Sequence, residues 1–129
     1  MIVSNPKTES VLRAILIKEG YILSEKLGNG KNGVDIVAQR KEATHFIELI
    51  GYSEHGSRRT IDFHSAFFQA LARLENGAKS CVMAMPINFK HGIKQRYRRN
   101  KTMRDRSTIA FPELQIWFVD PKKETVERY

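Results

Sequence analysis

Two carboxylates stand where a chain folding a plain hydrophobic core has no need of them. In the stretch GVDIVAQRKEATHFIELIGY, residues 33 to 52, Asp35 opens one apolar segment and Glu48 interrupts the next. Side chains alternate along a strand, so Glu48 shares a face with Phe46 and Ile50 and points away from Ile47 and Leu49. An ionised carboxylate between apolar neighbours is costly to bury unless a positive group meets it. A divalent cation answers that cost, because hard cations such as Mg2+ prefer oxygen ligands and acids on adjacent paired strands come close together. A metal held there can activate water and stabilise the charge that builds on a phosphate during hydrolysis. The competing explanation is that each acid sits at a strand end or edge and pairs with a nearby Arg or Lys.

The elements around these acids follow from hydrophobic period and punctuation. Asn5 and Pro6 predict a helix start, and KTESVLRAILIKEG carries Val11, Leu12, Ile15 and Leu16 on one helical face, with Gly20 as the stop. YILSEKL has mixed strand character, and GNGKNG after it reads as a turn or loop. VDIVAQ and THFIELIGY are rich in β-branched and aromatic residues, with RKEA as the hairpin connection. RTIDFHSAFFQALARLENG shows Phe63, Phe67, Ala70, Leu71 and Leu74 at helical spacing and ends at Asn76 and Gly77. KSCVMAMP reads as a buried strand, the basic segment beyond it as one helix, and LQIWFVD as a last strand. The order α-β-β-β-α-β-α-β predicts an α/β sandwich around a mixed sheet.

Length and composition bound the rest. A chain of 129 residues that is 41% hydrophobic suits one domain with a single core. Its one cysteine, Cys81, cannot form an internal disulfide and reads as a packed core thiol in a reducing compartment. No apolar run reaches the length of a membrane span and no signal-peptide core opens the chain, so the expected location is the cytoplasm. The net charge of +8 is concentrated in KHGIKQRYRRNKTMRDR, residues 90 to 106. There Lys90, Lys94, Arg96, Arg98, Arg99, Lys101, Arg104 and Arg106 oppose only Asp105. Such a run is often a solvated face, yet eight cations with Tyr97 interleaved repel one another without a counter-anion. Nucleic-acid phosphates supply one. No zinc finger or aromatic RNA-binding motif is present, which favours recognition of backbone and shape over base readout.

The arrangement of ESVLRAILIKEGY, GVDIVAQ, HFIELIGY and FFQALARL resembles the PD-(D/E)XK nuclease superfamily, the restriction-endonuclease-like fold, nearest its Holliday junction resolvase and small-endonuclease branch. The resemblance covers roughly residues 8 to 85, and LQIWFVD fits the late strand of that family. It implies a three-layer α-β-α sandwich, a single restriction-endonuclease-like domain over residues 1–129, and Mg2+ (or Mn2+) as cofactor. Its catalytic residues map onto Glu9, Asp35, Glu48 and Gln69, of which Glu9, Asp35 and Glu48 hold the metal. The departure is at Ile50, where the family has the lysine of Glu-x-Lys that helps to position or activate the attacking water. Gln39, Lys41, His64 and Arg73 are the groups that could replace it.

The other candidates have plainer readings beside the functional ones. Gln69 either orients a carboxylate or contacts DNA, or is a polar residue at a helix boundary. His45, His55, His64 and His91 show no metal-ligand spacing. Trp117 and Phe118 alternate, so at least one is core. The leading expectation is a metal-dependent DNA endonuclease, structure-specific or associated with a mobile element or restriction system. It would act as a homodimer, with Ile109, Ala110 and Phe111 available for the interface. The alternatives are a catalytically inactive nucleic-acid-binding protein on the same scaffold and a basic subunit that docks on an acidic partner.

Overall fold

The computed structural model describes residues 5 to 25 and 35 to 129. The loop sequence GNGKNG lies outside the described residues, as does the capping side chain of Asn5. The helix α1 (Asn5–Lys18) precedes a short strand β1 (Ile22–Leu23) and the hairpin β2 (Ile36–Arg40) and β3 (Ala43–Leu49). Then come α2 (Gly56–Ala72) and β4 (Cys81–Pro86), and next the helices α3 (Lys90–Arg99) and α4 (Lys101–Ala110). A final hairpin joins β5 (Leu114–Asp120) to β6 (Thr125–Arg128). The six strands form one sheet in chain order. β3, β4 and β5 run parallel, and β1/β2, β2/β3 and β5/β6 are antiparallel.

The sheet is mixed and covered on both faces, as expected. Val11, Leu12 and Leu16 of α1 pack on Ile36, Ile47, Val82 and Trp117. On the opposite face, Ala66 and Ala70 of α2 and Ile93 of α3 pack on Ile50, Cys81, Met83 and Phe118. Every residue of β4 is buried, because a central parallel strand with helices on both sides meets apolar neighbours in both directions. Cys81 is a free buried thiol whose pKa is raised by burial and by the charge of Glu113. Trp117 and Phe118 are both fully buried on opposite faces, so both are core. Among the described residues no helix is long and apolar enough to cross a membrane.

Punctuation behaves as its chemistry requires. Gly20 ends α1 at φ +94°, a left-handed conformation that costs glycine little. The hairpin connection is shorter than the expected RKEA: Lys41 and Glu42 alone make the turn, with Lys41 at φ +53°. The basic segment differs more. It forms two helices, because the Asn100 side chain donates to the Arg96 carbonyl at 2.9 Å and closes α3 there. The Asn100 carbonyl then accepts from Arg104 at 2.9 Å and starts α4. β6 was not foreseen either. Asp120 folds the chain back by accepting from the backbone amides of Lys122 and Lys123 at 3.0 and 3.1 Å.

Candidate functional site

The pairing of Ile36 with Ile47 carries on by one residue to set Asp35 opposite Glu48, at the point where β2 begins. One oxygen of Asp35 accepts from the Leu49 amide at 2.8 Å, which fixes the carboxylate against β3. Glu48 points to the α2 face as its strand parity requires, is only 2% exposed, and lies within hydrogen-bonding reach of Asp35. Its remaining neighbour is Arg73, in the 3-10 turn that follows α2, whose Nε donates to Glu48 Oε1 at 3.1 Å. One guanidinium thus faces two carboxylates.

That imbalance marks both acids. Burial raises the Asp35 pKa and the nearby charge of Glu9 adds to this, while the Leu49 amide works against them. Burial and the charge of Asp35 push Glu48 up to about 7, even with Arg73 opposing. Glu48 is therefore partly protonated near neutral pH, as an acid held beside a like charge is.

Glu9 approaches from α1. Its carboxylate accepts from Arg13 Nε at 2.7 Å, one turn along the helix. Arg13 also donates to the Ser24 carbonyl at 2.7 Å and to the Asp35 carbonyl at 3.4 Å. This arginine ties the first helix to the start of β2 and holds Glu9 at the edge of the acidic pair. The spacing of Glu9 and Arg13, four apart on a helix, was the signal available for that clamp.

Of the four groups that could stand in for the missing lysine, Gln39, Lys41 and His64 are exposed, and Arg73 meets Glu48. Ile50 is packed into the core beneath α2 and is 5% exposed. Gln69, one helical turn before Arg73, is exposed. Among the described residues no group of three or more His, Cys, Asp or Glu side chains is positioned to hold a metal ion. Two carboxylates still fit Mg2+, which keeps several waters and binds proteins through one or two carboxylates together with substrate phosphates.

The basic residues divide by environment. Lys90 is engaged by Glu127 at 2.6 Å, a partner on the unforeseen β6. Tyr97 is half-buried and stacks on Tyr129, with ring centroids 5.9 Å apart and planes 18° apart. Arg104 lies over both rings at 5.3 and 5.6 Å, and Lys94 over Tyr129 at 5.5 Å. These cation–π contacts bring two charged helices together on an aromatic support. Arg96, Arg98, Arg99, Lys101 and Arg106 face solvent.

A second polar cluster sits on the other face of the sheet. His45 meets Tyr21 Oη through Nε2 at 3.2 Å and Ser80 Oγ through Nδ1 at 2.6 Å. Gln115 donates to the same Ser80 oxygen at 3.1 Å and accepts from the Trp117 indole at 3.0 Å. Burial, then the charges of Arg128 and Arg40, lower the His45 pKa. His55, His64 and His91 are exposed.

No protein-family model matches the chain, and no curated protein sequence does. Two solved structures share its fold. One is an XisH family protein from Nostoc punctiforme, with 20% sequence identity and a TM-score of 0.61, covering 94% of this chain and 96% of that one. The other is an fdxN element excision controlling factor protein from Anabaena variabilis, with 17% identity and a TM-score of 0.65, covering 95% and 96% respectively.

Proposed function

We propose that the chain is a divalent-metal-dependent DNA endonuclease whose centre is the Asp35–Glu48 pair. The observation that carries this reading is the charge imbalance: two carboxylates, one nine-tenths and more buried, lie within reach of each other and share one guanidinium. In the proposed mechanism Asp35 and Glu48 would hold Mg2+ or Mn2+, with Glu9, tied to Arg13, at the edge of the site. A cation bound there would supply an activated water and offset the charge on the scissile phosphate. Asp35 is kept in place by the Leu49 amide and Glu48 by Arg73. Arg73 also takes the cationic role that Ile50 vacates, with its remaining donors available to a phosphate oxygen or the attacking water. The exposed arginines and lysines of α3 and α4 hold the DNA backbone.

The mobile-element version of this reading draws on the shared fold of a protein described as controlling excision of the fdxN element. Two strand cuts call for two sites, and a homodimer supplies them. Ile109, 80% exposed, and Met103, 54% exposed, offer apolar surface on α4 for that contact. Light scattering on the purified chain checks the mass.

A second reading has its own observation. The Arg73 ion pair gives Glu48 an internal partner, which suits a nucleic-acid-binding module that does not cut. One experiment separates the two. Plasmid, linear and branched DNA are incubated with Mg2+ or Mn2+ and the native chain or Asp35→Asn, which keeps an acceptor for the Leu49 amide. The nuclease reading expects cleavage that Asp35→Asn reduces by about a thousandfold, the upper end for one electrostatic group, while DNA binding persists. Salt-sensitive binding with no cleavage in either protein leaves the binding module.

A further inference from the structure

A cleft of about 420 Å³ opens between the first turn of α2 and α3. Arg59 of α2 and Arg96 of α3 reach into it from separate helices, and its lining contains no acid. Arg59 donates to the carbonyls of Ser53 at 2.7 Å and Glu54 at 2.9 Å, so its charge is oriented but not neutralised. Arg96 enters none of the ion pairs among the described residues. Two unneutralised guanidinium groups converging on one cavity are a receptor for a doubly charged oxyanion.

The walls are aromatic. Tyr52 lies beneath the Arg59 guanidinium, with 4.6 Å from its carbon to the ring centroid. Tyr52 also meets Phe89 edge to face at 5.0 Å, and Phe63 completes the apolar side. Arginine over tyrosine at the rim of an apolar floor is the chemistry that receives a planar ring joined to a phosphate. The volume falls within the range of about 300–1,000 Å³ for pockets that enclose a small ligand. Gly92 is part of the lining, and a Cβ placed on it would meet no atom within 4 Å, so a larger side chain can be introduced there without a clash at its first carbon.

We infer that this cleft binds a nucleotide unit, with the phosphate on Arg59 and Arg96 and the base against Tyr52, Phe63 and Phe89. None of Asp35, Glu48 and Arg73 lines the cleft, so it is a different site from the acidic pair. The inference therefore stands whether or not that pair cleaves DNA. The nucleotide can come from two sources, a free mononucleotide or an unstacked nucleotide of a single strand.

The test is calorimetric titration of the full chain with dAMP, deoxyadenosine, inorganic phosphate, a 5′-phosphorylated single-stranded octamer and a blunt duplex. Gly92→Leu fills the cleft without changing charge, and Arg96→Gln removes one guanidinium. Melting temperatures first establish that both variants are folded. The expected result is that dAMP or the octamer binds, and that each variant weakens this at least tenfold while Gly92→Leu leaves duplex affinity within twofold. Binding of dAMP at least tenfold tighter than deoxyadenosine and phosphate supports a free nucleotide as occupant. Binding of the octamer alone, with the same Gly92→Leu loss, supports a nucleic-acid strand. The inference is overturned if neither binds, if phosphate matches dAMP, or if Gly92→Leu changes nothing or weakens duplex and single strand alike.

Discussion

His45 and Glu48 lie three residues apart on the same strand and face opposite sides of the sheet, and their surroundings differ in one respect. Around His45 every polar group has a neutral partner: Tyr21, Ser80, Gln115 and Trp117 form a closed chain of hydrogen bonds. Burial and two nearby arginines lower the imidazole pKa and so favour its neutral form, and nothing in that cluster calls for an outside ligand. Around Glu48 the hydrogen bonds are made, but Asp35 and Glu48 share one guanidinium, so the charge is balanced only while a proton is held there. A buried polar cluster with its partners complete stabilises a fold. One left with surplus charge is a candidate for chemistry, because only an added cation or proton relieves it.

The contrast can be broken by moving charge on either side of the strand. Arg73→Ala should lower cleavage by about a hundredfold, within the usual worth of one transition-state donor, and Arg73→Lys should recover part of it. Initial rates under saturating Mg2+ test this, with DNA affinity measured alongside. Unaltered rates in Arg73→Ala would remove Arg73 from the site and send the search for the cation elsewhere.

A second effect is on stability. In the fold the Glu48 pKa is about 7, above its ordinary value of 4.5, so the folded chain holds a proton that the unfolded chain releases. That contribution is fully present below about pH 4.5 and is lost as pH rises to about 7. Without divalent ions, the melting temperature should fall between about pH 5 and pH 7 by more in the native chain than in Glu48→Gln. Equal slopes in the two proteins would mean that the pair carries no strained charge. The smallest effect on function belongs to the other face: His45→Phe should cost about 1–3 kcal/mol in urea unfolding by stranding its partners, with the cleavage rate per folded molecule unchanged.

The comparison also shows what was readable in advance. Strand parity alone grouped Glu48 with Phe46 and Ile50, and the pairing of adjacent strands allowed Asp35 beside it; that α2 covers this face is visible only in the fold. The helix faces of Val11 to Leu16 and Phe63 to Leu74 were equally plain, because apolar period survives in any context. The break at Asn100 is not legible in the sequence because a dense run of arginines and lysines hides the one side chain that competes for a backbone carbonyl. β6 was missed since TVER is short, charged and has no alternating apolar face of its own. That Arg73 meets Glu48 depends on where the turn after α2 lies against β3, a relation between residues 25 apart that local pattern does not carry.

The central claim is that the Asp35–Glu48 pair awaits a divalent cation, and metal binding tests it without any assumption about substrate. Mn2+ is titrated calorimetrically into the native chain and into Glu48→Gln near pH 6.5, in two buffers of different ionisation enthalpy. The account predicts saturable binding by the native chain with release of a proton, because a carboxyl group with a pKa near 7 must give up its proton to the metal. It predicts that Glu48→Gln loses this binding. Equal binding in both proteins, or none in either, would contradict it.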